Sequence, residues 1–382
     1  MSDSVTARAI QSIADVQAVH WDACADTGNP FVSHAFLKSL EDAGCVGEGT
    51  GWMPYHVIIE NTDGSLRGAV PMYAKSHSQG EYVFDHGWAH ALERAGGRYY
   101  PKLQVSSPFS PVTGPRLLAR DDETRRLLLS ACVQFAERLG VSSLHITFPT
   151  FEEWKMMGEE GLLLRKDQQF IWENDNYRDF DDFLNALSSR KRKNIRKERA
   201  KAVEEGIEIE RVTGGTLREE HWDAFYEFYM DTSMRKWGRP YLNRTFFSLI
   251  GERMPDDILL VLCRRAGRYI AGALNLMSPT ALFGRNWGCI EDHPFLHFET
   301  CYYQAIEHAI ENGLERVEAG AQGPHKLSRG YMPRFTYSAH WIADPGFRRA
   351  VSDYLKDEGA YVEADQKLLA EHGPFKKASE TD

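Results

Sequence analysis

The strongest constraint on the fold is an order of elements that occurs twice. Pro30-Phe31 is followed by Phe36-Leu37 and Leu40, and Pro240-Tyr241 by Phe246-Phe247, Leu249 and Ile250, so a similar apolar stretch opens each half. A strand, a glycine-containing turn and a second strand come next, at 56–59, Asp63-Gly64 and 68–70 in one half and at 259–262, Ala266-Gly267 and 272–274 in the other. Short apolar runs around such turns read as hairpins. A further strand is expected to end at Trp88 in the first half and at Trp287 in the second. Each half then closes with a helical pattern that stops at a glycine and gives way to a strand. Leu127, Leu128, Ala131, Phe135 and Ala136 precede Gly140 and the strand 144–148; Cys301, Tyr302, Ala305, Ile306 and Ala309 precede Gly313 and the strand 317–319. Apolar positions three and four apart mark one buried helix face, and the glycine supplies the stop. The expected fold class is α+β: two similar halves in tandem, each a mixed sheet flanked by helices.

Between the halves the composition changes abruptly. Asp179-Phe180-Asp181-Asp182 with Phe183, Leu184 and Leu187 predicts a short acid-capped helix, and Ser188 or Ser189 offers the next N-cap. Residues 190–201 then read RKRKNIRKERAK, eight bases and one acid, a net +7 in a chain whose total is −10; all other residues therefore sum to −17. Two readings are open. In one, this helix grips phosphates of tRNA, a nucleotide-linked substrate or coenzyme A, through Arg190, Arg192, Lys193 and Arg196. In the other it is a solvated linker docked through Ile195, Ala202 and Val203. The expected division is an N-terminal domain at 1–175, the basic helical linker at 176–204, and a C-terminal domain with a helical tail at 205–382. With 42% hydrophobic residues in 382 there is apolar material for two cores, which excludes global disorder. No run approaches the roughly 18 apolar residues of a membrane span. The start, Met1-Ser2-Asp3-Ser4, lacks the regions of a signal peptide, so a cytoplasmic location is expected. Cys24, Cys45, Cys132, Cys263, Cys289 and Cys301 form no CxxC pair, which argues against a disulfide framework or thiolate zinc site.

Longer runs carry a family resemblance. They are residues 75–85, 99–103 and 108–116; the basic segment; residues 235–242; His297-Phe298-Glu299 with Cys301-Tyr302-Tyr303; and Gly320-Ala321-Gln322-Gly323 with His325-Lys326 and Arg329-Gly330-Tyr331. Together they make the chain, from about Asn29 to Trp341, resemble the FemAB-like predicted N-acyltransferases, relatives of the Fem aminoacyl transferases and of the GNAT acyltransferases. The resemblance implies two tandem GNAT-like domains, the acyl-CoA N-acyltransferase fold. It also implies transfer of an acyl or aminoacyl group to an amine, in or near peptidoglycan metabolism. The partners so implied are tRNA and an amine-bearing small molecule or peptidoglycan precursor. Aminoacyl-tRNA or acyl-CoA would be the donor co-substrate, with no tightly bound cofactor.

Acyl transfer to an amine needs a neutral nucleophile, a positive group facing the tetrahedral oxyanion, and a grip on the donor. The glycine-rich loop at 320–324 delivers His325, Lys326 and Arg329 together. Fem enzymes place an aromatic–Lys pair at the comparable point, with the lysine facing the transferred carbonyl. His325-Lys326 resembles that pair with imidazole in the aromatic's place, and Arg329 is the alternative for the role. His297 and Glu299 follow Pro294 at the start of a helix and are candidate bases, although an acid in a first helical turn is equally a cap. Arg285-Asn286-Trp287 and Arg235-Lys236-Trp237, the latter followed by Tyr241, fit a cleft in which guanidinium groups meet phosphate or carboxylate beside stacking surfaces. In the first half Lys75, His77, Ser78, Glu81 and Asp85 are expected on a strand-turn-strand. There they line an acceptor pocket or form a buried polar network. His293 and His297 are four apart, but Pro294 breaks their helical face and no third ligand accompanies them, so no metal is expected. The phosphate loop of acetyl-CoA-using GNAT domains is replaced at 106–111 and 289–294 by stretches holding prolines and Glu291-Asp292. Prolines donate no N–H and the acids repel phosphate, which favours aminoacyl-tRNA over coenzyme A.

Overall fold

The computed structural model describes residues 6–25, 28–236, 240–320, 323 and 325–376. Its first strands are β1 (Thr6–Ile10), β2 (Trp52–Pro54), β3 (His56–Glu60), β4 (Leu66–Val70), β5 (Met72–Lys75), β6 (Lys102–Val105), β7 (Leu118–Ala119) and β8 (Ser143–Thr147). They are followed by β9 (Leu163–Glu173), β10 (Ile207–Thr213), β11 (Ile258–Arg265), β12 (Arg268–Met277), β13 (Ala281–Cys289), β14 (Arg316–Glu318) and β15 (Met332–Ile342). Two compact units result, Met1–Asp167 with Thr336–Val362, and Gln168–Phe335 with Glu363–Asp382. These borders differ from the expected ones at 175 and 204, because each unit closes its sheet with a strand segment from outside its own half. Residues 338–342 of β15 pair antiparallel with β8 in the first unit, and residues 171–173 of β9 pair antiparallel with β14 in the second. The basic helix, Ser189–Ala202, belongs to the second unit.

The two units have one topology. In the second, β10, β11, β12 and β13 follow one another antiparallel, β13 pairs parallel with β14, and β14 pairs antiparallel with β9. In the first, β2 and β3 are one strand interrupted at Tyr55, and β4 and β5 one strand interrupted at Pro71; the Tyr55 N–H donates to Met72 O at 2.8 Å across the break. The order is then β1, β3 with β2, β4 with β5, β6, β8 and β15, antiparallel except for the parallel β6–β8 pair.

Side-chain alternation gives the first unit's sheet two different faces. Met72, Leu103, Val105, Leu144, Ile146 and Ala339 point into an apolar core with Leu128, Ala131, Cys132 and Phe135 of the helix Asp122–Leu139. Each fully buried Leu, Ile, Val or Met among them contributes about 1.5–3 kcal/mol. The opposite face carries Lys75, Lys102, Gln104, His145 and His340, all buried. The expected strand ending at Trp88 is absent; Trp88 lies in the helix His86–Arg94. Only Lys75 of the expected strand-turn-strand is in a strand, and Ser76 to Asp85 is a loop, because the side chains of Glu81 and Asp85 turn in to meet Lys102 instead of continuing a ladder.

In the second unit the acidic stretch forms the helix Phe180–Ala186, with the Asp179 side chain accepting from the Asp182 N–H at 2.7 Å. Ser188 is the N-cap of the basic helix but makes no side-chain capping bond. The helix after β13 begins at Leu296, widens to a π-helical turn over Glu299–Tyr303 and continues α-helical over Gln304–Glu311. No helix among the described residues is long and apolar enough to cross a membrane.

Candidate active site in the second unit

The site forms where parallel strands part. β13 meets β14 only through Ala281, Leu282 and Phe283, and from Gly284 to Cys289 its ladder is to β12 alone among the described residues. Beyond Glu318 the chain leaves β14 through Ala319 and Gly320. The Lys326 side chain folds back over this exit, its Nζ donating to Ala319 O and, at 3.0 Å, to Gly320 O. An ammonium has three donors, so among the described residues one is left for another acceptor. Lys326 is buried, and burial pulls its ammonium down to about 8, with Cys301 acting in the opposite direction.

Two glycines fix the loop. At Gly323, φ is +112°, and a Cβ there would lie 2.2 Å from the His325 ring; at Gly330, φ is +94°, and a Cβ would lie 2.9 Å from the Phe183 ring. Between them the chain makes a short 3-10 turn, Leu327–Arg329. His325 Nε2 lies 3.0 Å from the Tyr302 hydroxyl, and the ring packs against Phe298. Burial, then the cations of Arg329 and Lys326, lower its pKa and favour neutral imidazole. The Arg329 guanidinium stacks 3.5 Å over the Phe298 ring, donates to His325 O at 2.7 Å and pairs with Glu198 at 2.8 Å. His325, Lys326 and Arg329, grouped from the sequence, are thus together in space.

The candidate bases stand differently. Glu299 is 2% exposed, receives the Arg199 guanidinium at 2.9 Å and accepts from Gln304 Nε2 at 2.8 Å; Arg199 also binds Glu307 at 2.9 Å. Its carboxylate is therefore committed to the basic helix, closing a charge cluster within the unit. His297 is half-buried between the rings of Trp287 and Tyr302, with centroids at 5.2 and 5.4 Å. Burial pushes the Glu318 carboxyl up; Arg316, bonded to it at 3.0 Å, opposes this, and Arg285 adds a weaker pull the same way. Arg235 is exposed, pairs with Asp231 and donates to Cys289 O at 3.1 Å; Tyr241 is exposed, and Trp237 lies outside the described residues. Glu291, expected from the sequence to repel phosphate, is neutralised by Arg265 at 2.7 Å, with His293 Nε2 a further 2.9 Å contact, so of the two acids Asp292 retains that effect. A surface cleft of about 590 Å³ in this unit, lined by Glu173, Tyr177, Gly330 and Arg334, takes in none of the candidate side chains.

The basic helix has two faces. Ile195 and Ala202 are buried, and Glu198 and Arg199 point inward to Arg329 and Glu299. On the other side Arg192 donates to Asn185 and Arg196 to Asp181. Arg190, Lys191, Lys193 and Lys197 have no hydrogen bond or ion pair among the described residues, so four of the eight bases keep uncompensated charge.

In the first unit Lys75, Glu81 and Asp85 form a closed network around Lys102. Lys102 Nζ donates to Ser78 Oγ at 2.9 Å, to Glu81 at 2.7 Å and to Asp85; the Tyr99 hydroxyl donates to Asp85 at 2.6 Å. Lys75 sits 3.5 Å over the Trp52 ring and donates to Gln79 O at 3.1 Å; burial brings its pKa down to about 7 and pushes that of Glu81 up to about 7. Burial also opposes ionisation of Asp85, but the Lys102 charge outweighs it and holds the carboxyl well below the usual range. His77 Nε2 bonds Thr50 O at 3.0 Å, and His145 and His340 meet at 2.7 Å between their Nδ1 atoms. Of the two readings open for these residues, this geometry has the form of the buried network. Sequence reasoning misses Lys102, Tyr99, His145 and His340 as its partners; the run at 99–103 is the available signal. Among the described residues no group of three or more His, Cys, Asp or Glu is placed to hold a metal.

Comparison with known proteins agrees with this architecture. The FemAB-like family, described as peptidoglycan biosynthesis/recognition, matches residues 12–377. Among solved structures, FemX superposes with a TM-score of 0.56 at 12% identity, covering 88% of this chain and 98% of its own. The C-terminal domain of a putative lysylphosphatidylglycerol synthetase from Agrobacterium fabrum gives 0.54 at 11% identity, covering 90% of this chain and 96% of its own. L-PGS from Bacillus licheniformis gives 0.53 at 10%, covering 87% and 98%. At these identities the likeness is one of fold, two tandem GNAT-like domains with mixed sheets flanked by helices. No curated protein matches the chain.

Proposed function

The chain belongs to the FemAB-like family, and from that premise we propose that it is an N-acyltransferase. It moves an aminoacyl group from aminoacyl-tRNA to the amine of a peptidoglycan precursor, without a tightly bound cofactor. The observation that carries the reading is Lys326, anchored by two backbone carbonyls at the exit of β14 and, among the described residues, with one donor to spare. A fixed cation is what a developing oxyanion requires, because it stabilises charge that exists only in the transition state. Neutral His325 stands next in sequence as a group able to take the amine proton. The exposed Arg190, Lys193 and Lys197, with the half-buried Lys191, suit the phosphates of a long polyanion better than the single pyrophosphate of coenzyme A.

The test is a transfer assay pairing aminoacyl-tRNA, and separately acyl-CoA esters, with a UDP-linked muropeptide. Product from charged tRNA alone supports the reading. Product from the CoA esters alone replaces the donor, and tight binding without product under any donor makes the chain a recognition protein.

A further inference from the structure

We infer that Glu198 is a positioning residue that couples the basic helix to the reactive loop, holding the donor grip and Lys326 in one register; this rests on the proposed acyl transfer. Glu198 is the one acid among residues 190–201, and it lies on the inner face of the helix. Its Oε2 takes the Arg329 guanidinium at 2.8 Å and also the Tyr303 hydroxyl. The two side chains of the ion pair are only 7% and 17% exposed, so water does little to replace either partner.

What makes this more than a stabilising ion pair is where Arg329 goes next. Its other terminal nitrogen donates to the backbone carbonyl of His325, the residue immediately before Lys326. Its Nε is buried without a hydrogen-bond partner, and Glu198 is the one carboxylate paired with it among the described residues. The contacts therefore run in series: basic helix, Glu198, Arg329, His325 carbonyl, Lys326. Tyr303 comes from the π-helical turn, a local widening that recurs at functional sites, and pins Glu198 from a second element. A polyanion held by the exposed Arg190, Lys193 and Lys197 is thus bound to the same helix that carries the link to the lysine. No contact of Glu198 with substrate is invoked; it acts through Arg329.

The experiment compares Glu198→Ala, Glu198→Gln and Tyr303→Phe with wild type and with Lys193→Gln, using amide hydrogen exchange over 323–331, affinity for an uncharged tRNA transcript, and turnover. In Glu198→Ala, loop exchange is expected to rise roughly tenfold while exchange elsewhere holds. Turnover is expected to fall about a hundredfold through kcat, as for a displaced catalytic group, with tRNA affinity within about twofold of wild type. Glu198→Gln, which keeps the acceptor, is expected to recover part of both. Lys193→Gln is expected to show the reverse pattern, weaker tRNA binding and normal loop exchange. If Glu198→Ala does not fold, Glu198→Gln and Tyr303→Phe must each raise loop exchange at unchanged tRNA affinity. Loop exchange that stays at the wild-type level in every Glu198 and Tyr303 variant overturns the inference, whether or not the wild type transfers. Absence of transfer by the wild type overturns the proposed reaction and leaves the exchange result standing.

Discussion

The two units share a strand order and differ in the segment that leaves the second parallel strand. After β8 in the first unit the chain turns at once into the helix Phe151–Glu159, closed by a capping box between Thr150 and Glu153; the Glu153 carboxylate also accepts from the Arg116 and Leu117 N–H groups. After β14 in the second unit it enters a glycine-rich loop bearing His325, Lys326 and Arg329. The first unit's ionisable groups lie instead on the buried sheet face, where Lys102 meets Glu81 and Asp85. The same topology thus carries charge in two ways. A network of opposite charges fixes a loop, even with one oxygen each of Glu81 and Asp85 left without a hydrogen bond, whereas a cation bound, among the described residues, to two carbonyls keeps its charge for a further partner. In the proposed transfer the reactive groups come from the second unit.

The largest effect is expected from Lys102→Met, which takes the shared cation from two buried carboxylates and leaves only Lys75, 3.6 Å from Glu81. Loss of a buried partner costs about 3–5 kcal/mol, so thermal melting should show the first unit opening early. A variant that melts like the wild type would mean the network is not what holds the loop 76–85. Next, Gln at Arg190, Lys191, Lys193 and Lys197 together should flatten the salt dependence of tRNA binding. Each phosphate contact accounts for about 0.7 to 0.9 in the log–log slope, so the four together reach about 3. An unchanged slope would return the helix to a solvated linker.

The pH profile sharpens the assignment further. Burial brings Lys326 to about 8, so the cation is complete below that pH and is lost as pH rises through it. Turnover should fall on that limb, and Lys326→Arg, if active, should move the limb upward by a unit or more because guanidinium stays charged. A limb that stays put belongs to another group. The smallest effect is expected from Glu299→Gln. This carboxylate is held by Arg199 and Gln304, so a structural role predicts lower stability with turnover per folded molecule nearly unchanged. A loss of turnover at full folding would restore Glu299 as the base.

Local signals are enough for part of this. The helix Asp122–Leu139 and the basic helix follow from spacing, caps and composition, which act over a few residues. The grouping of His325, Lys326 and Arg329 is legible because one loop carries all three. The features that escape a reading of the sequence depend on distant partners. Trp88 reads as a strand end because only the folded chain shows Asp85 drawn to Lys102, 17 residues on. Glu299 reads as a free acid until Arg199, 100 residues away, closes on it. The unit borders are hidden for the same reason, since β9 and β15 finish sheets that their neighbours in sequence do not begin.

Single-turnover transfer by Lys326→Met at saturating donor tests whether Lys326 serves the transition state. Loss of a preorganised donor to an oxyanion is typically worth about 3–4 kcal/mol, so the rate should fall by roughly a hundredfold or more, with donor affinity retained. Because Lys326 also donates to Ala319 O and Gly320 O, stability should fall by about 1–3 kcal/mol, too little to explain the rate. A Lys326→Met protein that turns over at the wild-type rate would contradict the account.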